Sequence, residues 1–241
     1  MKRLSSIISL FFLMNSYASE NIVRLVSLDW EPYVGRSLPD QGFVTKLIKD
    51  VYQFNGKDVS ISFRPWARAL KEARSGDFDG LYPEYLNKDL RKEFIYSDSF
   101  MVSPVGFYKL EGSDVFPGKS YESIKAYRIG LVHGYINHPI VDEHKDLRVE
   151  YAVDDLQNLS KLCRGRLDLV FIDFKVAKHL LKKNSKQLCS NIIEAAPALE
   201  KKKLYIVFSK KVKGHKERRD EFNRFLENYK KKKNRNELVR K

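Results

Sequence analysis

Charged residues of opposite sign follow a short apolar segment at 78–82. Glu84 and Arg91 offer a carboxylate and a guanidinium, groups that bind ligand charges through strong hydrogen bonds. Trp66 opens an amphipathic segment just upstream, and this order predicts a helix followed by a strand at 78–82. Ligands of open α/β sheets bind beyond the carboxyl ends of the strands. The polar segment 83–91 is therefore the first place where a binding site is expected.

Aromatic residues occur at two further positions where a ligand can be held. Trp30 and Tyr33 follow the first predicted strand and are either walls of a site or a cap on the core. Trp66 stands at a helix start, where an exposed indole is unfavourable, so that it faces either the core or a cleft. Arg68 is either an anion contact or the partner of Glu72 in an i,i+4 ion pair.

The elements that must position these residues alternate along the chain. Segments that alternate apolar and polar residues, or that are continuously apolar, predict strands. Apolar residues that recur every 3.6 positions predict the helices between them. The predicted strands are 22–28, 59–63, 78–82, 100–110, 127–132, 147–151, 167–172 and 204–208, and the predicted helices are 42–52, 66–75, 154–163, 174–183 and 215–229. This order indicates parallel sheets with right-handed crossovers. The pattern alone fits either two lobes or one continuous doubly wound domain.

One stretch resembles bacterial extracellular solute-binding proteins of family 3. The matching elements are Gly76, Asp79, Arg91 and 97–100 (Ser-Asp-Ser-Phe). The resemblance covers nearly all of 20–235 and implies an α/β, two-lobed periplasmic-binding-protein clamshell of type II. Each lobe is then a mostly parallel sheet flanked by helices, and two hinge crossings near 100–110 and 195–209 join the lobes. The implied domains are lobe 1, residues 19–105 plus 205–241, and lobe 2, residues 106–204.

The same resemblance suggests how individual residues hold a ligand. Arg91 corresponds to the arginine that grips the α-carboxylate of amino acids, as a planar guanidinium does well. Asp173 corresponds to the carboxylate that pairs with the ligand ammonium, although it is also placed to cap the next helix. Gly134 and Tyr135 resemble a turn that offers backbone N–H groups, and Trp30 with Tyr33 resembles an aromatic wall.

The sequence departs from that family at 83–88, Pro-Glu-Tyr-Leu-Asn-Lys. Amino-acid binders of the family carry small hydroxyl residues there, whereas Glu84 brings a negative charge. The expected ligand is therefore amino-acid-like but has an extra cationic or donor group, or belongs to another compound class.

The N-terminus predicts export. Lys2 and Arg3 precede an apolar run at 4–14, and Ala18 ends a small-residue cleavage motif. The run is shorter than the roughly 20 residues that a membrane span requires. We therefore expect 1–18 to be a signal peptide and the mature chain to reside in the periplasm.

Composition and cysteine usage narrow the remaining choices. The net charge of +14 comes largely from basic runs at 201–203, 210–216 and 230–233, which we interpret as solvated surface rather than a nucleic-acid site, because no aromatics interleave with them. Cys163 and Cys189 are expected to form a disulfide in an oxidising compartment. The spacing of the histidines and cysteines predicts no metal site, and we expect no cofactor.

These observations favour a monomeric binding protein that passes a small polar ligand to an inner-membrane ABC permease. A ligand-binding sensor that reports to a membrane receptor is an alternative. A dehydratase-like enzyme on the same fold is another, because Glu84 walled by Trp30 and Trp66 would have a raised pKa suited to acid–base work. No catalytic motif is present, so a binding protein is the leading hypothesis.

Overall fold

The computed structural model describes residues 22–239, with side chains as far as Lys233. The predicted signal peptide lies outside this part of the chain. The described residues form ten strands and six α-helices. The strands are β1 (Val23–Ser27), β2 (Val59–Phe63), β3 (Gly80–Tyr85), β4 (Phe94–Tyr96), β5 (Met101–Leu110), β6 (Arg128–Val132), β7 (Arg148–Ala152), β8 (Leu169–Asp173), β9 (Ile192–Glu194) and β10 (Glu200–Ser209). The helices are α1 (Phe43–Phe54), α2 (Trp66–Ser75), α3 (Pro139–Asp142), α4 (Asp155–Cys163), α5 (Phe174–Lys183) and α6 (His215–Val239).

Lobe one consists of β1–β4 with α1, α2 and α6. Strand β1 lies between β2 and β3 and is parallel to both. Helix α1 buries the face that carries Ile48 and Val51, and its Tyr52 ring packs 5.8 Å from that of Phe222 in α6. Helix α2 ends at Gly76, whose left-handed φ of 88° suits a residue without a side chain. Apolar periodicity thus places the helices on this sheet.

Lobe two consists of β6–β9 with α3–α5. Strand β6 lies between β7 and β8 and is parallel to both. Asp154 caps α4, because its Oδ1 accepts the Gln157 N–H at 2.8 Å. The predicted disulfide between Cys163 and Cys189 is confirmed, and it ties the end of α4 to the segment before β9.

The two long strands β5 and β10 join the lobes. They pair with each other in antiparallel register, while β10 also pairs with β3 and β5 with β8. A single sheet path therefore runs β2-β1-β3-β10-β5-β8-β6-β7 through both lobes. These strands occupy the segments where hinge crossings were expected. The lobe boundaries at 105 and 205 stay predictions.

Two predicted elements end at the wrong residue. Strand β3 extends to Tyr85 instead of Tyr82, because Tyr85 and Glu84 pair with Leu204 and Tyr205 of β10. Residues expected in a loop therefore belong to the sheet. Helix α6 continues beyond the predicted end at 229 to Val239. None of the helices within 22–239 is long and apolar enough to cross a membrane.

Candidate ligand-binding cleft

A small cavity lies between the two lobes, at the carboxyl ends of β1 and β3. It has a volume of about 30 Å³ and is lined by Leu28, Trp30, Trp66, Pro83, Glu84, Tyr85, Tyr135, Ile136 and Leu204. A cavity of this size holds one or two water molecules. The structure is therefore a closed form, and a ligand of amino-acid size enters only when the lobes open or the walls move.

Aromatic rings form the walls of the cleft. Trp30 stacks on Tyr33 with ring centroids 4.6 Å apart and meets Tyr85 edge-on at 6.1 Å. On the other side, the Trp66 and Tyr135 rings are perpendicular with centroids 6.4 Å apart. Flat apolar walls with a few fixed polar groups are typical of small-molecule sites. Trp30 and Tyr33 are both buried, so that they serve the core as well as the cleft.

Trp66 links the lobes directly. Its indole Nε1 donates a hydrogen bond to the Gly134 carbonyl oxygen at 3.1 Å. Gly134 has a φ of +75°, a left-handed conformation that bends the chain toward the indole. The turn that was expected to offer N–H groups to a ligand thus presents a carbonyl to lobe one in this closed form.

Glu84 is the buried acid of the cleft in lobe one. Its side chain is 3% exposed, and its Oε1 accepts the Tyr85 N–H at 2.7 Å. Its Oε2 is buried and has no hydrogen-bond partner within the described residues. Burial raises the pKa of Glu84 to about 8, although the Tyr85 N–H and the charges of Lys202 and Arg74 oppose the rise. Glu84 is therefore largely protonated at neutral pH.

Asp173 caps α5, the alternative considered in the sequence analysis, and its other oxygen contacts lobe one; its role in ligand binding stays a prediction. Its Oδ1 accepts the N–H groups of Lys175 and Val176 at 2.8 and 2.9 Å. Its Oδ2 accepts hydrogen bonds from the Tyr33 hydroxyl at 3.0 Å and from the Ser103 hydroxyl. Burial raises the pKa of Asp173, and these hydrogen bonds act against that rise. In this closed form, the hydrogen bond from Tyr33 occupies the Asp173 oxygen to which a ligand ammonium was expected to bind.

Asp155 is a buried acid near the cleft to which the sequence analysis assigned no part in a ligand site. Asp154 caps α4 instead, and Asp155 is 5% exposed. Burial, together with the charges of Asp173 and Asp154, raises the pKa of Asp155 to about 7, although Trp30 acts against the rise. The Trp30 N–H makes no hydrogen bond of normal geometry, but it lies near enough to Asp155 to favour the carboxylate. The sequence did contain a signal for a second buried acid, because two adjacent acids precede α4 and only one of them can cap it.

Lys202 is the basic residue that the sequence interpretation placed on the surface. Within β10 the side chains of Lys201 and Lys203 are exposed, whereas Lys202 is buried, because successive strand residues face opposite sides. Its Nζ donates to the carbonyl oxygens of Ile136 at 3.0 Å and Asn137 at 2.5 Å. It also lies 4.4 Å from the centroid of the Tyr85 ring. The first basic run is therefore not wholly solvated.

Arg91 and Arg68 lie outside the cleft. Arg91 is exposed in the turn Leu90–Lys92, and its guanidinium lies 5.7 Å from the Tyr96 ring centroid. Because β3 continues to Tyr85, the following turn carries Arg91 past the cavity to a surface depression beside β4. The Arg68 side chain pairs with Glu72 at 2.5 Å, the surface alternative considered above. The other predicted residues lie in or against the cleft: Trp30, Tyr33, Trp66, Glu84, Gly134, Tyr135 and Asp173.

No protein-family model and no curated protein matches the chain. Several solved structures do match it. An ancestral arginine-binding protein bound to arginine is 21% identical, with a TM-score of 0.74 over 88% of this chain and 93% of that one. Holo arginine-binding protein from T. maritima is 19% identical, with a TM-score of 0.72 over 88% and 92% of the two chains.

A histidine kinase sensor domain with similarity to periplasmic binding proteins is 15% identical, with a TM-score of 0.75 over 90% of this chain and 94% of that one. Identities this low establish the architecture alone. They confirm the two-lobed α/β clamshell that the residues from Gly76 to Phe100 predicted. The chain therefore has the fold of the arginine-binding proteins and of the sensor domain that it matches.

Proposed function

We propose that this chain is a periplasmic solute-binding protein that closes on a small, amino-acid-like ligand and delivers it to an ABC-type permease. The observation that carries the proposal is the aromatic cavity between the lobes, where the Glu84 carboxyl has an oxygen without a partner. A buried polar group without a partner is costly, and a ligand that donates a hydrogen bond or a charge removes that cost. Structural neighbours bound to arginine, glutamine or glutamate support this assignment.

Closure is expected to be a hinge motion about β5 and β10. The contacts that cross between the lobes in the closed form include Trp66 with Gly134, Tyr33 with Asp173, and Glu31 with His179 and Lys183. All of them break when the lobes separate, and a ligand that bridges the lobes replaces part of what is lost. The ligand thus shifts the equilibrium by binding the closed form better than the open one.

Intrinsic fluorescence tests the proposal directly, because the chain has two tryptophans and both line the cavity. We expect titration with basic, neutral and acidic amino acids, amines and small organic acids to yield at least one compound that changes the emission and raises the melting temperature. Phe116→Ala removes an aromatic side chain far from the cleft, 72% exposed, and is the control for non-specific effects. If no compound in so broad a panel produces either change, the solute-binding proposal fails.

A sensory role is the second candidate, favoured by the match to a histidine kinase sensor domain. The same cleft serves both roles, since each needs only a closed, ligand-bound state. Deleting the gene separates them. Loss of uptake of the radiolabelled ligand with an unchanged transcriptional or chemotactic response supports transport, and the reverse result supports sensing.

An enzymatic role is less well supported, because the neighbours are binding proteins. Export to the periplasm agrees with the disulfide, which forms and persists in oxidising compartments. We expect a bound ligand to be recovered chemically unchanged after prolonged incubation with the protein. Mass spectrometry of the released compound checks this, and a product that accumulates only with intact Glu84 would instead support the dehydratase-like alternative.

A further inference from the structure

Acids outnumber bases among the buried charged groups around the cleft. Within the described residues, the charged side chains in the buried class are Asp79, Glu84, Lys109, Asp155, Asp173 and Lys202. Asp79 is paired with arginines, and the Lys109 Nζ donates to the Val115 carbonyl oxygen, both away from the cavity. The cleft therefore combines three acids with one lysine.

Acids of both lobes lie at or behind the aromatic walls of the cavity. Glu84 lines it from lobe one. Asp173 of lobe two lies behind the Tyr85 wall, because the Ser103 hydroxyl hydrogen-bonds both the Asp173 carboxylate and the Tyr85 hydroxyl. Asp155 of lobe two is buried at the start of α4, and burial together with its charge raises the pKa of Tyr135 on the opposite wall. Lobe one thus supplies an acid within the cavity, and lobe two supplies acids behind its walls.

The acid that points to a ligand is Glu84. It is more than nine-tenths buried, lines the cavity, and has an oxygen without a partner. Asp173, by contrast, already accepts four hydrogen bonds from the protein. A cationic donor from the ligand satisfies this oxygen and, because a nearby opposite charge lowers the pKa of a carboxyl group, converts Glu84 to the carboxylate.

No arginine reaches the cleft within the described residues, so a ligand carboxylate lacks a bidentate partner there. Arg91 lies over Tyr96 outside the cavity, and Arg68 is paired with Glu72. Lys202 is the nearby cation, but its ammonium is directed to two carbonyl oxygens and the Tyr85 ring. A carboxylate in this cavity would lie beside Glu84 and near the lobe-two acids without a free cation to pair with.

We propose, building on the function proposed above, that the cleft selects an elongated organic cation with a basic group at each end and no α-carboxylate, such as a diamine or a guanidino-amine. One basic group pairs with Glu84 of lobe one, and the other pairs with Asp155 of lobe two. The methylene chain between them lies against the rings of Trp30, Trp66, Tyr85 and Tyr135. Aromatic faces favour such cations. Closing the lobes then brings acids to both ends of the ligand.

Matched ligand pairs test this most directly. Agmatine and arginine share a guanidino chain and differ by the α-carboxylate, and cadaverine and lysine differ in the same way. We expect the decarboxylated member of each pair to bind about 30-fold or more tightly, as for removal of an unpaired charge from a desolvated site. Titrations monitored by tryptophan fluorescence and calorimetry provide the dissociation constants.

The outcomes separate this inference from the proposed function. Tighter binding of arginine and lysine than of agmatine and cadaverine overturns the inference but leaves a solute-binding protein. Preferential binding of glutamine or glutamate has the same consequence. If none of these compounds, nor any other of the wider panel, binds, the proposed function itself fails, and the inference fails with it.

Variants identify the acid responsible. Glu84→Gln keeps the shape of the protonated side chain, so the fold is preserved, and we expect agmatine or cadaverine to bind about 30-fold more weakly. Glu194→Gln is the matched control, because Glu194 is exposed in β9 and pairs with Lys178. Asp155→Asn should weaken the diamine similarly from the other lobe. Unchanged affinity in both Glu84→Gln and Asp155→Asn would overturn the inference.

Discussion

Asp79 and Glu84 lie near opposite ends of β3 and are equally buried, with 3% of each residue exposed. Asp79 accepts the Arg24 N–H at 2.7 Å and has the Arg218 guanidinium 3.5 Å away. Glu84 keeps an oxygen without a partner and has its pKa raised to about 8. Burial alone therefore does not decide what a carboxyl group does. An acid surrounded by arginines stabilises the fold, whereas an acid left without a partner is available to a ligand.

The pH dependence of stability should distinguish Glu84 from other acids. Its folded pKa of about 8 exceeds the ordinary 4.5, so the folded protein holds a proton that the unfolded chain has lost. The stabilisation is complete below about pH 4.5 and disappears as the pH rises through about 8. Between about pH 5 and pH 9, we expect the wild type to lose on the order of 4 kcal/mol more than Glu84→Gln.

Urea denaturation at several pH values measures this difference. Lys202 and Arg74 supply the charges that lower the pKa of Glu84, and both are retained in the variant. Asp155 titrates in both proteins, so its effect cancels. Parallel curves for the wild type and Glu84→Gln would mean that Glu84 is ionised in the folded protein, and the contrast with Asp79 would be lost.

Amide substitution of the two acids sharpens the contrast at a single pH. Asp79→Asn removes the charge that pairs with Arg24 and Arg218, and we expect the free energy of unfolding to fall by about 3 kcal/mol. Glu84→Gln, the same chemical change, should not lower stability at pH 7 and is expected to raise it, because folding of the wild type at this pH must protonate a carboxyl group that is ionised in the unfolded chain. Denaturant midpoints compare the two directly. A larger loss for Glu84→Gln than for Asp79→Asn would reverse the assignment of roles.

Glu31 is an acid whose partners lie in the other lobe. Its Oε2 accepts hydrogen bonds from Lys183 at 2.5 Å and is 2.9 Å from His179 Nε2. Burial raises the pKa of Glu31, but these partners and Ser37 lower it more, so its contribution is present above about pH 4.5 and lost in acid.

We expect Glu31→Gln to destabilise the closed form by about 1 kcal/mol and to weaken ligand binding about fivefold. Asp29→Asn is the control, because Asp29 pairs with Arg36 inside lobe one. Titration of each variant with the tightest ligand of the panel measures the change in affinity. Equal effects of the two variants would show that the contact between the lobes has no special part in closure.

Arg68→Ala should have little effect. Its partner Glu72 also pairs with Arg64, and the Arg68 side chain is exposed. We expect stability to change by less than about 0.5 kcal/mol and ligand affinity to stay within a factor of about two. A tenfold loss of affinity by calorimetry would mean that the cleft extends to α2 and that the paired arginine leaves Glu72 when ligand binds.

The order of elements was predictable because it depends on local periodicity. The bounds of β2 and of α5, for example, agree with the prediction residue by residue. The end of β3 was not predictable, because partners far along the chain, Leu204 and Tyr205, extend it. Placing that end three residues early moved Arg91 toward the cleft, and its predicted role there stays without structural support.

The sequence pointed to several residues that line or adjoin the cavity, the aromatics together with Glu84 and Asp173, because they follow strands or end them. Asp155 and Lys202 were not recognised, for different reasons. Asp155 stands beside an acid that caps the helix, and the sequence does not say which of the two is buried. Lys202 stands in a basic run, and only the side-to-side alternation of β10 turns it inward while its neighbours stay in water.

The bond between Cys163 and Cys189 encloses β8 and α5, and so holds the loop that contains Asp173, His179 and Lys183. Opening this covalent ring increases the conformational entropy of the unfolded chain and loosens lobe two first. The redox state of Cys163 and Cys189 is therefore expected to affect ligand affinity. On the proposed function, the reduced chain should bind its ligand less tightly than the oxidised chain, so affinity would be acquired when the disulfide forms.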